Sequence, residues 1–193
     1  QAFAGCAFKR FELPSTLNTL GQKVFQNCAE LDSVAIPASV TSMGTYVFSG
    51  CKALTYVELG TGISKLPQYT FQNCTALSDL VIPDNYTAVD NYAVSGCSNS
   101  LRVWICSTVP PTLSSANAFR AASSSTYAQL MVPYGTSDTY KAKTYYTNYT
   151  IGETVPALSA IAEAEPKVSD NSADLAALPA VAYADDAVDV PAV

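Results

Sequence analysis

Histidine is absent from the 193-residue sequence, and charge of either sign is scarce: ten Lys and Arg, sixteen Asp and Glu, together 13% of the chain. Globular proteins usually carry about 25% charged residues, so Ser, Thr, Asn and Tyr must supply much of the wet surface here. Without an imidazole there can be no Ser-His-Asp triad, no His-ligated zinc and no histidine pH switch. Basic residues are too few, and the isoelectric point of about 4.4 too low, for nucleic-acid binding. No run of about 18 consecutive apolar residues exists, so no membrane-spanning helix is expected. What remains is a chain that is 49% hydrophobic and long enough for one domain with a real core.

The acidity sits at one end. Residues 1–151 carry nine basic and eight acidic side chains, a balance of plus one. Residues 152–193 carry Lys167 against eight acids, a balance of minus seven. Beyond Gly152 the chain is mostly Ala, Val, Pro, Asp and Ser, with Tyr183 its one aromatic. So few large apolar side chains cannot offset the ordering entropy of the segment. A boundary is therefore expected near 152, followed by a low-complexity tail. Leu158–Glu165 and Ala173–Leu178 in that tail suit short helices, if something covers them.

The body is a repeat. Cys28, Cys51, Cys74 and Cys97 recur every 23 residues, and Cys6 precedes Cys28 by 22. Phe25, Phe48 and Phe71 keep the same interval, with Phe3 before them and Val94 after. One unit reads Phe25, Cys28, Leu31, Val34, Ile36, Pro37, Val40 and Met43 at its recurring positions. The first unit lacks one residue after Cys6. The fifth reads as having one extra after Cys97, before Leu101, Trp104 and Cys106. Each unit holds a short stretch of alternating character ended by a residue such as Pro37, which cannot donate to a ladder and so suits the end of a strand. No unit can enclose its own apolar side, so the units must stack as a solenoid. Stacking makes a parallel sheet with Val34, Val57 and Leu80 above one another inside. The alternate residues then face outward: Arg10 and Glu12, Ser33 and Ala35, Tyr56 and Glu58, Asp79 and Val81, Val103 and Ile105. Of these, Arg10, Glu12, Ser33, Tyr56, Glu58, Asp79, Val81 and Val103 are the candidate binding face.

The pattern, similar to F-x-x-C-x-x-L-x-x-V-x-I-P-x-x-V-x-x-I-G, resembles the BspA-like (treponema-type) leucine-rich repeats of bacterial surface proteins over about residues 3–150. The resemblance implies a right-handed leucine-rich-repeat superhelix. Its parallel β-sheet lines the concave face, and short turns or 3-10 segments form the other side. Repeats would occupy 1–100, and the last repeat with a C-terminal cap 101–151, built around Leu101–Cys106, Asn117–Phe119 and Leu130–Gly135. It further implies a secreted or surface-anchored, non-enzymatic protein that binds a host or neighbour-cell protein or glycan. No catalytic residue and no cofactor come with it. The N terminus enters the pattern mid-repeat and shows no signal peptide, which suggests a piece of a longer array.

Other constellations have plainer readings. One cysteine per rung at one structural position points the side chains the same way, whereas a disulfide needs facing Cβ atoms about 3.8 Å apart. No C-x-x-C suggests zinc. The cysteines, Cys106 on its inward strand phase included, are read as small buried hydrophobes, with disulfides or a metal as the alternatives. Glu12, Glu58 and Asp79 could in principle do acid–base work, but with no cleft signal they are read as a solvated face. Ser64-Lys65 is formally a nucleophile–base pair, on the return segment. Tyr134, Tyr140, Tyr145, Tyr146 and Tyr149 crowd the end module and are read as a cap of amphipathic rings, with a binding patch as the alternative. The competing function is a structural spacer or assembly subunit, self-associating through a tail that docks on another chain.

Overall fold

A computed structural model describes residues 2–121 and 127–154. The tail beyond, with its two expected helices, lies outside the described residues. Among the described residues eleven strands run in chain order: β1 (Thr19–Leu20), β2 (Ser33–Ala35), β3 (Ser42–Met43), β4 (Tyr56–Glu58), β5 (Lys65–Leu66) and β6 (Asp79–Ile82). Then follow β7 (Ala88–Val89), β8 (Arg102–Ile105), β9 (Thr112–Leu113), β10 (Gln129–Pro133) and β11 (Thr150–Thr154), with one short helix, α1 (Ser137–Lys141), before the last strand. Every pairing between these strands is parallel, in a solenoid of about six turns.

Each turn has three walls. The longer strands make the first, as sheets β2-β4 and β6-β8-β10-β11. Val34 pairs with Val57, and Leu80 with Val103 and onward to Leu130, so the inward row is continuous in kind. The second wall holds the turns expected opposite the sheet, and these carry two-residue strands of their own, β1-β3 and β5-β7-β9. Two residues are too few for an alternation to show in a sequence. The third wall carries Phe and Cys. Its backbone is laddered as well: the amides of Phe25, Phe48 and Phe71 donate to the carbonyls of Val47, Thr70 and Ala93 one turn on.

Two columns of the core lie on that wall. Phe3, Phe25, Phe48 and Phe71 stack with ring centroids 5.4, 5.4 and 5.6 Å apart. Beside them, Sγ of Cys28, Cys51, Cys74 and Cys97 donates to the carbonyl of Phe3, Phe25, Phe48 and Phe71 at 3.0–3.2 Å. Each thiol thus fills a methyl-sized space and also caps a carbonyl of the preceding turn, something Ala could not do. Burial raises all four thiols, Cys51 and Cys97 up to about 12.

Two corners of this wall need left-handed backbone. Gly5, Asn27, Gly50, Asn73 and Gly96 occupy one, at φ between 60° and 80°. Asn and Gly are the residues that enter this region most readily. They also alternate, and the reason is steric. A Cβ on Gly50 or Gly96 would lie well inside contact distance of Oδ1 of Asn27 or Asn73, one turn before. The other corner holds Lys23, Tyr46, Tyr69 and Tyr92 at φ 57–60°, where bulky residues are uncommon.

The end module is a cap. Tyr140, Tyr146 and Tyr149 are buried, and their hydroxyls donate to the carbonyls of Ser107, Pro111 and Ala116 at 2.5–2.8 Å. Amphipathic rings close the last turn with a polar atom at each buried tip satisfied. Tyr134 and Tyr145 remain exposed. Strand β11 continues through the boundary drawn at 151/152, pairing with β10 as far as Thr154. Glu153 on β11 accepts a 2.9 Å hydrogen bond from the Ser137 amide at the start of α1. The regular body therefore extends past Gly152.

Candidate binding face

The outward side of the first wall carries two rows, one on each side of the buried row. In the first, Ser33 stands beside Tyr56, and Asp79 beside Arg102 and Gln129. In the second, Ala35 stands beside Glu58, and Val81 beside Trp104, Met131 and Gly152. Strand pairing fixes all of these backbone positions, so the face is pre-ordered.

Seven of the eight expected residues lie on this face. Arg10 bridges to Ser33 and lies 3.8 Å from the Asp32 carboxylate, and Glu12 is exposed beside it. Ser33 donates to Asp32 at 2.8 Å. Tyr56 is 41% exposed and Val81 39%, with Glu58 and Asp79 half-buried. Burial, then the Glu58 carboxylate, raises the Tyr56 phenol, which stays a neutral donor at ordinary pH.

Val103 is the exception: it is fully buried, and Ile105 is only 2% exposed. The fifth unit has no extra residue in its strand. Val103 follows Cys97 by the same interval as Leu80 follows Cys74, and the two pair directly. What shifts is Leu101, which sits one place later than its counterparts and drew the alignment with it. The outward residues of β8 are therefore Arg102 and Trp104. Cys106, expected on the inward phase, is half-buried at the strand's end.

Arg102 and Trp104 make the densest polar cluster on the face. Arg102 Nη2 lies 2.8 Å from Asp79 Oδ1, and its guanidinium sits 5.9 Å from the centre of the Trp104 ring. The indole Nε1 also donates to Asp79 Oδ1, at 3.3 Å. A bridge between partly exposed groups contributes little stability, but it holds indole and guanidinium in one orientation. Beside it lies an open recess of about 400 Å³ lined by Ser78, Asp79, Asn99, Arg102, Tyr127 and Gln129. Its lining offers hydrogen-bond donors and acceptors, and the apolar row Val81–Trp104–Met131 runs across the same face on the other side of the buried row. This arrangement suits recognition by stacking, apolar contact and hydrogen bonding. Among the described residues no group of three or more His, Cys, Asp or Glu could hold a metal ion, and no described helix is long and apolar enough to cross a membrane.

A second aromatic array went unnoticed in the sequence. Tyr46, Tyr69 and Tyr92 stack along the outside of the third wall, centroids 4.5 and 5.5 Å apart, with the Lys23 ammonium 5.3 Å from the Tyr46 ring. The signal was present as three tyrosines at the repeat interval.

Comparison with known proteins agrees with this architecture. A family model described as a BspA-type leucine-rich repeat region matches residues 1–125 in six copies. No curated protein matches the sequence. Among solved structures, a leucine-rich repeat protein of T. pallidum is 24% identical with a TM-score of 0.56, over 72% of this chain and 67% of that one. A leucine-rich cell surface protein of Faecalibacterium prausnitzii is 25% identical with a TM-score of 0.49, over 79% of this chain. The match spans about a third (34%) of that protein's length. A leucine-rich repeat protein of Bacteroides ovatus is 16% identical with a TM-score of 0.41, over 80% of this chain and 48% of that one.

Proposed function

The chain belongs to the BspA-type leucine-rich repeat family of bacterial surface proteins, and from that premise we propose that it is a non-enzymatic binding module, secreted or displayed at the cell surface. Its ligand is an extracellular protein of a host or neighbouring cell, met by the outward face of the long-strand wall. One observation carries this reading: Tyr56, Val81, Trp104 and Met131 stand exposed or half-exposed on a single rigid face, next to the paired Asp79 and Arg102. Apolar and aromatic side chains fixed by a sheet lose little entropy on docking. Trp, Tyr and Arg are the residues that dominate binding hot spots.

The test is binding of the full chain to immobilised extracellular-matrix proteins and, in parallel, to a glycan array. Trp104→Ala is expected to weaken the protein interaction about tenfold or more. Tyr134→Ala, on the exposed end module, is expected to leave it unchanged. Loss with Tyr134→Ala and retention with Trp104→Ala would move the site to the cap. Binding confined to the glycan array would replace the protein ligand by a sugar. A structural or assembly role is the second reading. It is favoured by β11, which has β10 on one side and no described strand on the other. Light scattering across a concentration series separates the two, since an assembly subunit forms oligomers without added ligand.

A further inference from the structure

The two left-handed corners of each turn are filled by opposite logic. One takes only Gly and Asn, the residues that enter this backbone region at least cost. The other takes Lys23, Tyr46, Tyr69 and Tyr92, whose side chains gain nothing from a left-handed backbone. Local conformation therefore does not explain the tyrosines; what they do together must. Their rings are nearly parallel, at 17° and 7°, and the first pair is the closer, with centroids 4.5 Å apart. Partial burial, then the neighbouring Tyr69 hydroxyl, raise the Tyr46 phenol. Tyr92 is held otherwise, its hydroxyl accepting from Asn117 Nδ2 at 3.3 Å.

We propose that Tyr46 and Tyr69 are a site of oxidative phenol coupling, where a peroxide acting through a haem peroxidase forms a covalent staple between two adjacent turns. Each phenol gives up one electron and its hydroxyl proton. The two phenoxyl radicals join through their ortho carbons in a new C–C bond. The hydrogens on those carbons then leave, and the oxygens are reprotonated as both rings regain aromaticity. Overall the protein loses two electrons and two protons, which reduce one hydrogen peroxide to two water molecules. The stack holds the two rings nearly parallel with centroids 4.5 Å apart before oxidation, and the fixed backbones on adjacent rungs keep them there.

The experiment treats the full chain with a haem peroxidase and limiting hydrogen peroxide, isolates the monomer by gel filtration and digests it with trypsin. Cleavage after Lys23, Lys52, Lys65 and Arg102 puts Tyr46 in peptide 24–52, and Tyr69 with Tyr86 and Tyr92 in peptide 66–102. The expected product joins 24–52 to 66–102 with the loss of two hydrogen atoms, through Tyr46 and Tyr69 in fragment spectra, and with dityrosine fluorescence. Tyr69→Phe keeps a ring in the stack, and Tyr46→Phe does likewise; each is expected to abolish that linked pair and the monomer's fluorescence. The proposal is overturned if the wild-type monomer lacks the link while the exposed Tyr134 and Tyr145 couple between molecules. It is equally overturned if the link survives either Phe variant.

Discussion

Replacing Gly50 by Ala isolates the steric logic of the third wall. Gly50 has φ of 80°, and an L residue there costs roughly 1–2 kcal/mol. The new methyl would also displace Asn27, whose Oδ1 occupies its space. Asn27 is exposed and can rotate, so this second cost is that of an unfavourable rotamer, about 1 kcal/mol. The sum is about 2–3 kcal/mol. Gly5→Ala supplies the control, because Gly5 holds the same corner at φ 74° with nothing within 4 Å of its Cβ position. It should show the backbone cost alone. Urea unfolding by far-UV circular dichroism measures both, and a double-mutant cycle isolates the interaction. Asn27→Gly removes the obstructing oxygen, so Gly50→Ala in that background should cost about 1 kcal/mol less than in the wild type. Costs that add to within about 0.5 kcal/mol would refute the clash, and with it the reason for the alternation.

Three further outcomes are expected. Val57→Asp should abolish cooperative melting, because Val57 is 6% exposed and its charge would have no partner; Glu58→Ala, one residue along, should change stability by less than about 0.5 kcal/mol. Native Cys51, Cys74 and Cys97 should react with an aromatic disulfide only slowly at pH 8, since they are buried and burial raises their thiols; rapid native labelling monitored by absorbance would contradict that. Glu153 is held below its ordinary 4.5 by the amides of Gly135 and Ser137. The stability it contributes is therefore present above about pH 4.5 and lost as pH falls through the lower folded value. Glu153→Gln should flatten that part of the stability curve measured by thermal melting.

The Cys and Phe columns were legible because one side chain per turn, at one interval, has one physical meaning. Leu101 shows the limit: a leucine one place out of step was enough to invert the phase read for β8, although Cys97 and Val103 kept theirs. The return strands were not legible, since two residues per strand carry no periodicity. The Tyr46–Tyr69–Tyr92 stack was legible in its 23-residue spacing, but spacing alone does not show that the three rings meet face to face on the outside of the wall. The boundary at 152 fell inside β11 because Gly152 and Glu153 resemble the tail in composition, while their pairing with Met131 and Val132 leaves no trace in the sequence. Which residues face outward on the long-strand wall was largely readable, but the Asp79–Arg102–Trp104 cluster depended on the phase of β8 and was missed with it.

The Gly–Asn alternation gives the solenoid a parity. By residue spacing the array looks as though any single turn could be removed or duplicated without consequence. By shape it repeats every second turn. Losing the turn that brings Gly50 would seat Asn73 against Asn27 and crowd two amides into one space. Losing the turn that brings Asn73 would set Gly50 against Gly96 and leave the corner unfilled. Recombination that changes the array by turns in pairs therefore avoids a cost of about 1 kcal/mol at this corner, a bias on how such a protein lengthens or shortens that the count of its repeats does not reveal.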